Sequence, residues 1–541
     1  MTVPPGDDIP KPELSETPAQ TVEPTSPRSG MDIPRTTYIW AFILVVSLLL
    51  PRFLSLTPAA KAGAKKENAA LTSSDFQKII GAETTMRGAF GAEALAGPLA
   101  GAAKPQALQE AIKQFRSLAQ NSKGVNSARR VVILEHEIAS PTSSSAKKPS
   151  QKQSQKTETK TENDTSRYLE TTLRNNLKEA GRTDADITAE LRLWHSLYDT
   201  KTPTPLTREE SDAAVTRVRE MKIPFLENLV VSQIYQAAGR EPEAKAARTA
   251  FEERARKHSL NMLAYLGYTV LAFGTGIITL IYLAVATGLN DFRKISVPSA
   301  HQQPLPRRLG WGDLMDVFVF YMMVFFTVSR FLASFFVERF LPEPSIGKII
   351  VLLTVVTVVT GVISLLYLRF VARRRSTTLA DIGWTTGQGL FKDIGIGFLG
   401  FCTTLPCTIL LGMASRLIFG KDNPNLTPNP ALTLLISERD FMGRFLIFLL
   451  VAFAAPLFEE FFFRGVLFSG LRARFGRWPA ILLSAVVFAS LHPMTDWLPI
   501  LGLGITFGIL RESRQSLVPS MTAHFLQNSQ SFLSLIFLAG P

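Results

Sequence analysis

The chain has 541 residues, 46% of them hydrophobic, with a formal net charge of +13 and two cysteines. That length accommodates more than one domain, and the two cysteines, Cys402 and Cys407, exclude both a disulfide framework and a cysteine-based zinc motif. The positive charge does not point to nucleic acid, because much of it sits in short loops between apolar runs, as in "RFVARRRS" (369–376) and "LRARFGR" (471–477). Basic residues so placed mark cytoplasmic loops of a membrane protein.

Residues 1–37 are rich in Pro, Thr, Ser and acid and read as a disordered tail. The first apolar run, "YIWAFILVVSLLL" (38–50), extends past Pro51 and Arg52 to make residues 38–56 a transmembrane anchor rather than a cleaved signal peptide. Residues 57–260 form a large, mostly helical extramembrane region around a low-complexity linker at 140–166. Within it, "PFLENLVVSQIYQAAGREPEAKAARTAFEERARKH" (224–258) reads as helix, Gly-Arg turn, helix. It is a helical hairpin rather than a repeat array, since a single copy buries no continuous core. This region is expected to bind substrate or a protein partner and carries nothing that looks catalytic.

From Asn261 onward the apolar runs predict eight further spans, near 261–287, 314–337, 347–371, 393–419, 443–474, 478–492, 496–510 and 517–538. The expected fold is therefore all-α, a polytopic transmembrane bundle of about nine spans, with residues 261–378 as accessory membrane helices and 379–541 as the functional domain. Basic loops at 288–313, 369–392, 471–477 and 511–516 alternate with less basic ones. This places the N-terminus inside and residues 57–260 outside. A multi-pass protein of the bacterial inner (plasma) membrane fits that charge pattern.

Few ionisable groups interrupt the C-terminal spans, and such groups are costly there, about 2.5–3.5 kcal/mol near the bilayer centre on insertion scales. "FEEFFFRGVLFSGL" (458–471) holds Glu459, Glu460 and Arg464. Glu460 and Arg464 stand at i,i+4, the spacing of a helical ion pair. Glu459 faces elsewhere, and a half-buried carboxylate left over suits general-base work. If "FGR" turns the chain, Glu459 and His492 both lie fifteen residues from the turn. At about 1.5 Å per residue that is roughly 22 Å, one common depth. On the last span His524 and Asn528 share a helix face, as donors to an oxyanion or as interhelical glue. The other histidines, His136, His195, His258 and His301, sit in polar stretches and read as surface residues. "GIGFLG" (395–400) lies inside an apolar span, where its glycines serve close helix packing rather than a dinucleotide. Arg330, inside the third span, reads as snorkelling or paired with an interior acid.

Taken together, "EEFFFR" (459–464), "FASLH" (488–492) and "HFLQN" (524–528) follow the patterns E-E-x-x-x-R, F-x-x-x-H and H-x-x-x-N in order on successive apolar segments. In this the chain resembles the CPBP family, the CAAX proteases and bacteriocin-processing enzymes (the Abi domain). The resemblance covers roughly 379–538, with "LADIGW" (379–384) as a loose opening motif, and does not reach residues 57–260.

It implies an intramembrane endopeptidase acting on a peptide or membrane protein. Glu459 and His492 would activate a water, His524 and Asn528 would stabilise the oxyanion, and Glu460 and Arg464 would support them. The family is commonly labelled metalloprotease. Glu459, His492 and His524 could complete a three-ligand zinc site, while a metal-free glutamate/histidine mechanism fits the same residues, and the balance tips to the latter. The competing reading is a catalytically silent relative acting as a membrane immunity or scaffolding protein. A transporter is disfavoured because the polar residues cluster in one C-terminal bundle, with no sign of repeated halves.

Overall fold

Helices supply every regular element of the computed structural model. Its described residues are 33–55, 73–97, 102–139, 165–198, 205–288, 309–328, 346–386, 389–419, 435 and 440–539, and no strand occurs among them. Arg330, His301, the tail to residue 32 and most of the 140–166 linker lie outside the described residues.

The first helix, α1 (Arg35–Ser55), is followed by α2 (Ser73–Ala96), α3 (Lys104–Asn121) and α4 (Val125–Ala139). Next come α5 (Arg174–Glu179, entered through a π-turn at Leu169–Leu173), α6 (Asp184–Tyr198), α7 (Arg208–Met221) and α8 (Glu227–Ala237). Local chemistry sets several of these ends. Thr207 accepts from the Glu210 backbone N–H while the Glu210 carboxylate accepts from the Thr207 N–H, a capping box that starts α7. Gly239, with φ of +68°, turns the chain from α8 into the next helix. The core of this region gathers Phe90, Phe115, Trp194, Phe225 and Phe251, and it buries two-pronged Arg129–Glu190 hydrogen bonds of 2.7 Å each.

The helical hairpin expected at 224–258 is present, but its second arm does not stop. Helix α9 (Glu241–Gly288) runs unbroken for 48 residues from this helical core into an apolar stretch. The surface reading of two histidines also needs correction. His136 is half-buried against Tyr198, with ring centroids 4.5 Å apart, and the His258 ring packs edge-on against Phe225.

The remaining helices are α10 (Trp311–Thr327), α11 (Ile346–Arg374), α12 (Leu390–Phe419), α13 (Phe441–Phe475), α14 (Arg477–Ser490), α15 (Trp497–Arg514) and α16 (Val518–Ser534, continuing as a π-turn to Ala539). Four segments are long and apolar enough to cross a membrane: Glu241–Val285, Ile349–Arg374, Leu390–Phe419 and Phe441–Phe475. They expose large apolar side chains outward, including Val270, Leu271, Leu366, Leu410 and Leu417, while polar groups such as Asp316, Glu460 and Arg464 are buried inside. A soluble domain shows the opposite arrangement, so the chain is an integral membrane protein.

Packing in the bundle follows from small residues and one proline. Pro406 inside α12 has no N–H, which frees the carbonyl one turn earlier, at Cys402. Gly276 of α9 lies directly against that carbonyl, with no room for a Cβ. Of the 395–400 glycines, Gly397 meets the Pro519 carbonyl of α16 and Gly400 meets Leu510 of α15, as expected for close helix packing. The N-terminal helix docks by hydrogen bonds: Thr36, Thr37 and Tyr367 all donate to the buried Asp316 carboxylate of α10, at 2.8, 2.7 and 2.5 Å.

Candidate functional site

Helix α13 positions the glutamates, and it is not uniformly α. Asp440 caps its start by accepting from the Gly443 N–H. It then widens into π geometry at Leu449–Ala454, returns to α over Ala455–Glu460, and widens again at Phe461–Leu467. Such π-turns leave backbone groups out of their usual partnership and occur often at functional sites. Here Asn528 of α16 donates from Nδ2 to the Val451 carbonyl of the first π-turn at 2.8 Å.

Glu460 and Arg464 form the expected ion pair, 3.0 Å apart, and both side chains are wholly buried. The Glu460 carboxylate has a second partner that the sequence did not reveal, His524 Nδ1 at 2.9 Å. The other ring nitrogen, Nε2, lies 3.7 Å from Glu459 Oε2. That gap is too long for a hydrogen bond, but one water can touch both atoms. Glu459 keeps 28% of its side chain exposed. It is therefore the accessible carboxylate of the pair.

Aromatic rings wall in these charges. The Arg464 guanidinium lies over Phe488 and Phe507, at 4.4 and 5.1 Å from the ring centroids, and Nη2 donates to the Gly504 carbonyl at 3.4 Å. His524 stacks on Phe507 at 4.9 Å and meets the edge of Phe488 at 5.8 Å. The turn between α13 and α14 falls at Gly476, whose φ of +85° demands glycine-like freedom. It makes the antiparallel hairpin that brings Phe488 to Arg464.

His492 lies just past the end of α14 and before Pro493. Its Nδ1 is 3.0 Å from the Phe488 carbonyl, and its ring meets Phe488 edge-on at 5.0 Å. Both histidines thus border the same phenyl ring. The structure joins Glu459, Glu460, Arg464 and His524 in one network, sets His492 against Phe488, and turns Asn528 toward Val451. Among the described residues no three His, Cys, Asp or Glu side chains converge closely enough to hold a metal ion. Glu459, His492 and His524, as arranged, do not make a three-ligand zinc set.

Sequence reasoning passed over four contributors. Phe507 forms one wall of the charge cage. Tyr321 of α10 stacks on Phe462 at 4.1 Å and is within electrostatic reach of Glu459. Thr404 donates to Gln527 Oε1 at 2.7 Å, tying α12 to α16. Polar residues in the middle of apolar runs were the available signal for Tyr321, Thr404 and Gln527.

The "LADIGW" segment braces this bundle from one end. Gly383 takes φ of +93°, which lets its carbonyl accept from the Leu517 N–H at 2.9 Å while the Arg511 guanidinium packs against it. Trp384 then reaches Phe461, with ring centroids 5.3 Å apart.

Residues 441–530 match the family model described as Rce1-like, type II CAAX prenyl endopeptidase Rce1-like. The matched segment contains Glu459, Glu460, Arg464, His492, His524 and Asn528. No curated protein and no solved structure matches the chain significantly.

Proposed function

We propose, from the premise that residues 441–530 belong to the CAAX-protease family, that the chain is an intramembrane endopeptidase hydrolysing a peptide bond near the membrane surface. The observation that carries this reading is the asymmetry of the two glutamates. Glu460 is wholly buried with Arg464 and His524, whereas Glu459 is partly open and faces the remaining nitrogen of His524. A buried charge cluster that only held helices together would gain nothing from an open, unspent carboxylate.

In this mechanism Glu459 takes a proton from a water as its oxygen attacks the scissile carbonyl, and His492 assists from beside Phe488. His524, oriented by Glu460, turns Nε2 to the oxygen that gains charge, and the second N–H of the Asn528 amide serves the same oxyanion. Glu459 then returns its proton to the leaving amine, so the proton balance closes within the chain. No step passes through a metal.

The proposed domain plan is an anchor at 38–56, an extramembrane region at 57–260 available to substrate or a protein partner, accessory helices at 261–378 and a protease domain at 379–541. On the nine-span reading of the sequence, 57–260 would lie outside, and the loop charges support a bacterial inner membrane. The test compares membrane proteomes of cells carrying the wild-type protein and Glu459→Ala. Membrane peptides whose cleavage depends on Glu459 support the proposal. Identical cleavage patterns would return the chain to the silent, scaffolding class.

A further inference from the structure

An open cavity of about 420 Å3 lies away from the glutamate–histidine site, where the extramembrane region meets the start of α13. That volume falls in the range of ligand pockets, roughly 300–1,000 Å3. Four cations line it: Arg87 of α2, Lys222 at the end of α7, Arg254 of α9 and Arg444 of α13; His258 of α9 and Phe225 complete the wall. The lining has one carboxylate, Glu227.

The cations are held there by construction. Arg87 is buried, 3% exposed, with its guanidinium over the Phe225 ring at 4.9 Å. Phe225 itself sits at φ of +67°, a conformation bulky residues rarely adopt. Arg87 Nε donates to Glu83 at 3.0 Å, but that carboxylate also pairs with Arg130 Nη2 at 2.7 Å, one acid between two guanidiniums. Two buried nitrogens are left over: the Arg87 Nη2 donor and His258 Nε2 have no hydrogen-bond partner. A buried guanidinium N–H without an acceptor is costly, and a cavity beside it supplies room for an anion.

We propose that this cavity binds a phosphate group, and that the source is the headgroup of an anionic phospholipid. Arginine forks suit phosphate oxygens. The placement suits a lipid. Arg254 and His258 stand one turn apart just before the apolar part of α9, and Arg444 lies in the opening turn of α13. Beside them begin exposed apolar side chains, Leu260 and Leu263 on α9 and Phe441, Met442 and Phe445 on α13. A headgroup in the cavity would lay its acyl chains along that surface, so a lipid would tie the extramembrane region to the helix that carries Glu459.

The test uses full-length protein in maltoside micelles, titrated calorimetrically with dihexanoylphosphatidylglycerol and separately with inorganic phosphate. The exposed cations Lys222 and Arg254 are changed together to Gln, and unchanged melting verifies the fold. Saturable binding of the lipid, weakened at least about tenfold in the double variant, is expected, one charge-assisted hydrogen bond being worth about that factor. Equal, variant-sensitive binding of inorganic phosphate would keep the site and overturn the lipid as its source. Absence of saturable binding by either probe, or equal binding by wild type and variant, would overturn the site itself.

Discussion

His524 Nδ1 lies 2.9 Å from Glu460 Oε1, so a residue near the end of the chain completes an ion pair begun within one turn of α13. Glu460 is thereby tied to a cation and an imidazole at once. Glu460→Gln weakens both ties and leaves Arg464 buried without its counter-charge, a loss of about 3–5 kcal/mol by the measure of broken buried pairs. A large fall in melting temperature is expected, with activity falling along with the folded fraction. Glu459→Gln keeps the shape and removes the proposed base, so folded protein without turnover is expected. Finding Glu460→Gln folded but inactive beside an active Glu459→Gln would reverse the assignment.

How far the sequence predicted these features depends on the distance over which each is decided. The Glu460–Arg464 pair was legible because i,i+4 geometry is local. The helices of the C-terminal half were legible because apolar runs must be long to cross a membrane. The Glu460–His524 contact was not, since it depends on how α16 lies against α13. Glu459 and His492 were expected to face each other through a regular helical rise. The π-turn at Phe461–Leu467 interrupts that regularity, and His524 Nε2 comes within 3.7 Å of Glu459 Oε2. Nothing in the local pattern of "FFFRGVL" announces a π-turn. The basic cavity was equally hidden, because Arg87, Arg254 and Arg444 come from three distant segments.

Asp316 gives a prediction about assembly. Its carboxylate is 4% exposed and accepts from Thr36, Thr37 and Tyr367, joining α1 and α11 to α10. Asp316→Leu should release α1 from the bundle and cost about 1–3 kcal/mol for the stranded hydroxyls. A disulfide trap between cysteines placed at Trp40 and Phe320, whose rings now meet at 5.1 Å, reads this directly. Efficient trapping in the wild-type background and weak trapping with Asp316→Leu are expected; equal trapping would show that the hydrogen bonds do not hold the helix.

The helical region packed around Trp194 should lose stability on acidification, in two stages. Burial pushes the His136 imidazole below its ordinary 6.5, with Glu137 opposing. The unfolded chain therefore takes up that proton first, and the stability it contributes is complete above 6.5 and lost as the pH falls toward the folded value. Burial alone would raise Glu137, but Lys104 and Arg248 outweigh it and hold the carboxyl below its ordinary 4.5. Its contribution is present above 4.5 and is lost as the pH drops further. Melting followed through buried Trp194 should fall from neutral pH downward, and His136→Phe should flatten the first stage. Stability that rises between pH 7 and 5 would contradict the His136 assignment, and stability that holds or rises below 4.5 would contradict that of Glu137.

The last prediction separates the two polar residues of α16. His524 and Asn528 share a face, yet His524 points to the glutamates and Asn528 donates to the Val451 carbonyl. As oxyanion donors both should lower turnover by roughly 10²–10³-fold when changed to Ala. Asn528→Ala should also uncap the π-turn, at about 1–3 kcal/mol, so its melting temperature falls independently of activity. Adding Val451→Pro is no remedy, since the missing partner is a donor; Asn528→Gln, with the same amide on a longer arm, is the informative rescue. Restored stability with activity still low would mean that the second N–H has a placement requirement of its own, as an oxyanion donor has. Stability and activity returning together would assign Asn528 to the π-turn alone. For His524 the corresponding readout is metal content. With no three-ligand set in the arrangement, His524→Ala should leave the zinc content of purified protein unchanged, and chelators should not slow the wild type. Stoichiometric zinc that disappears in His524→Ala but persists in Asn528→Ala would make His524 a ligand and replace the metal-free mechanism.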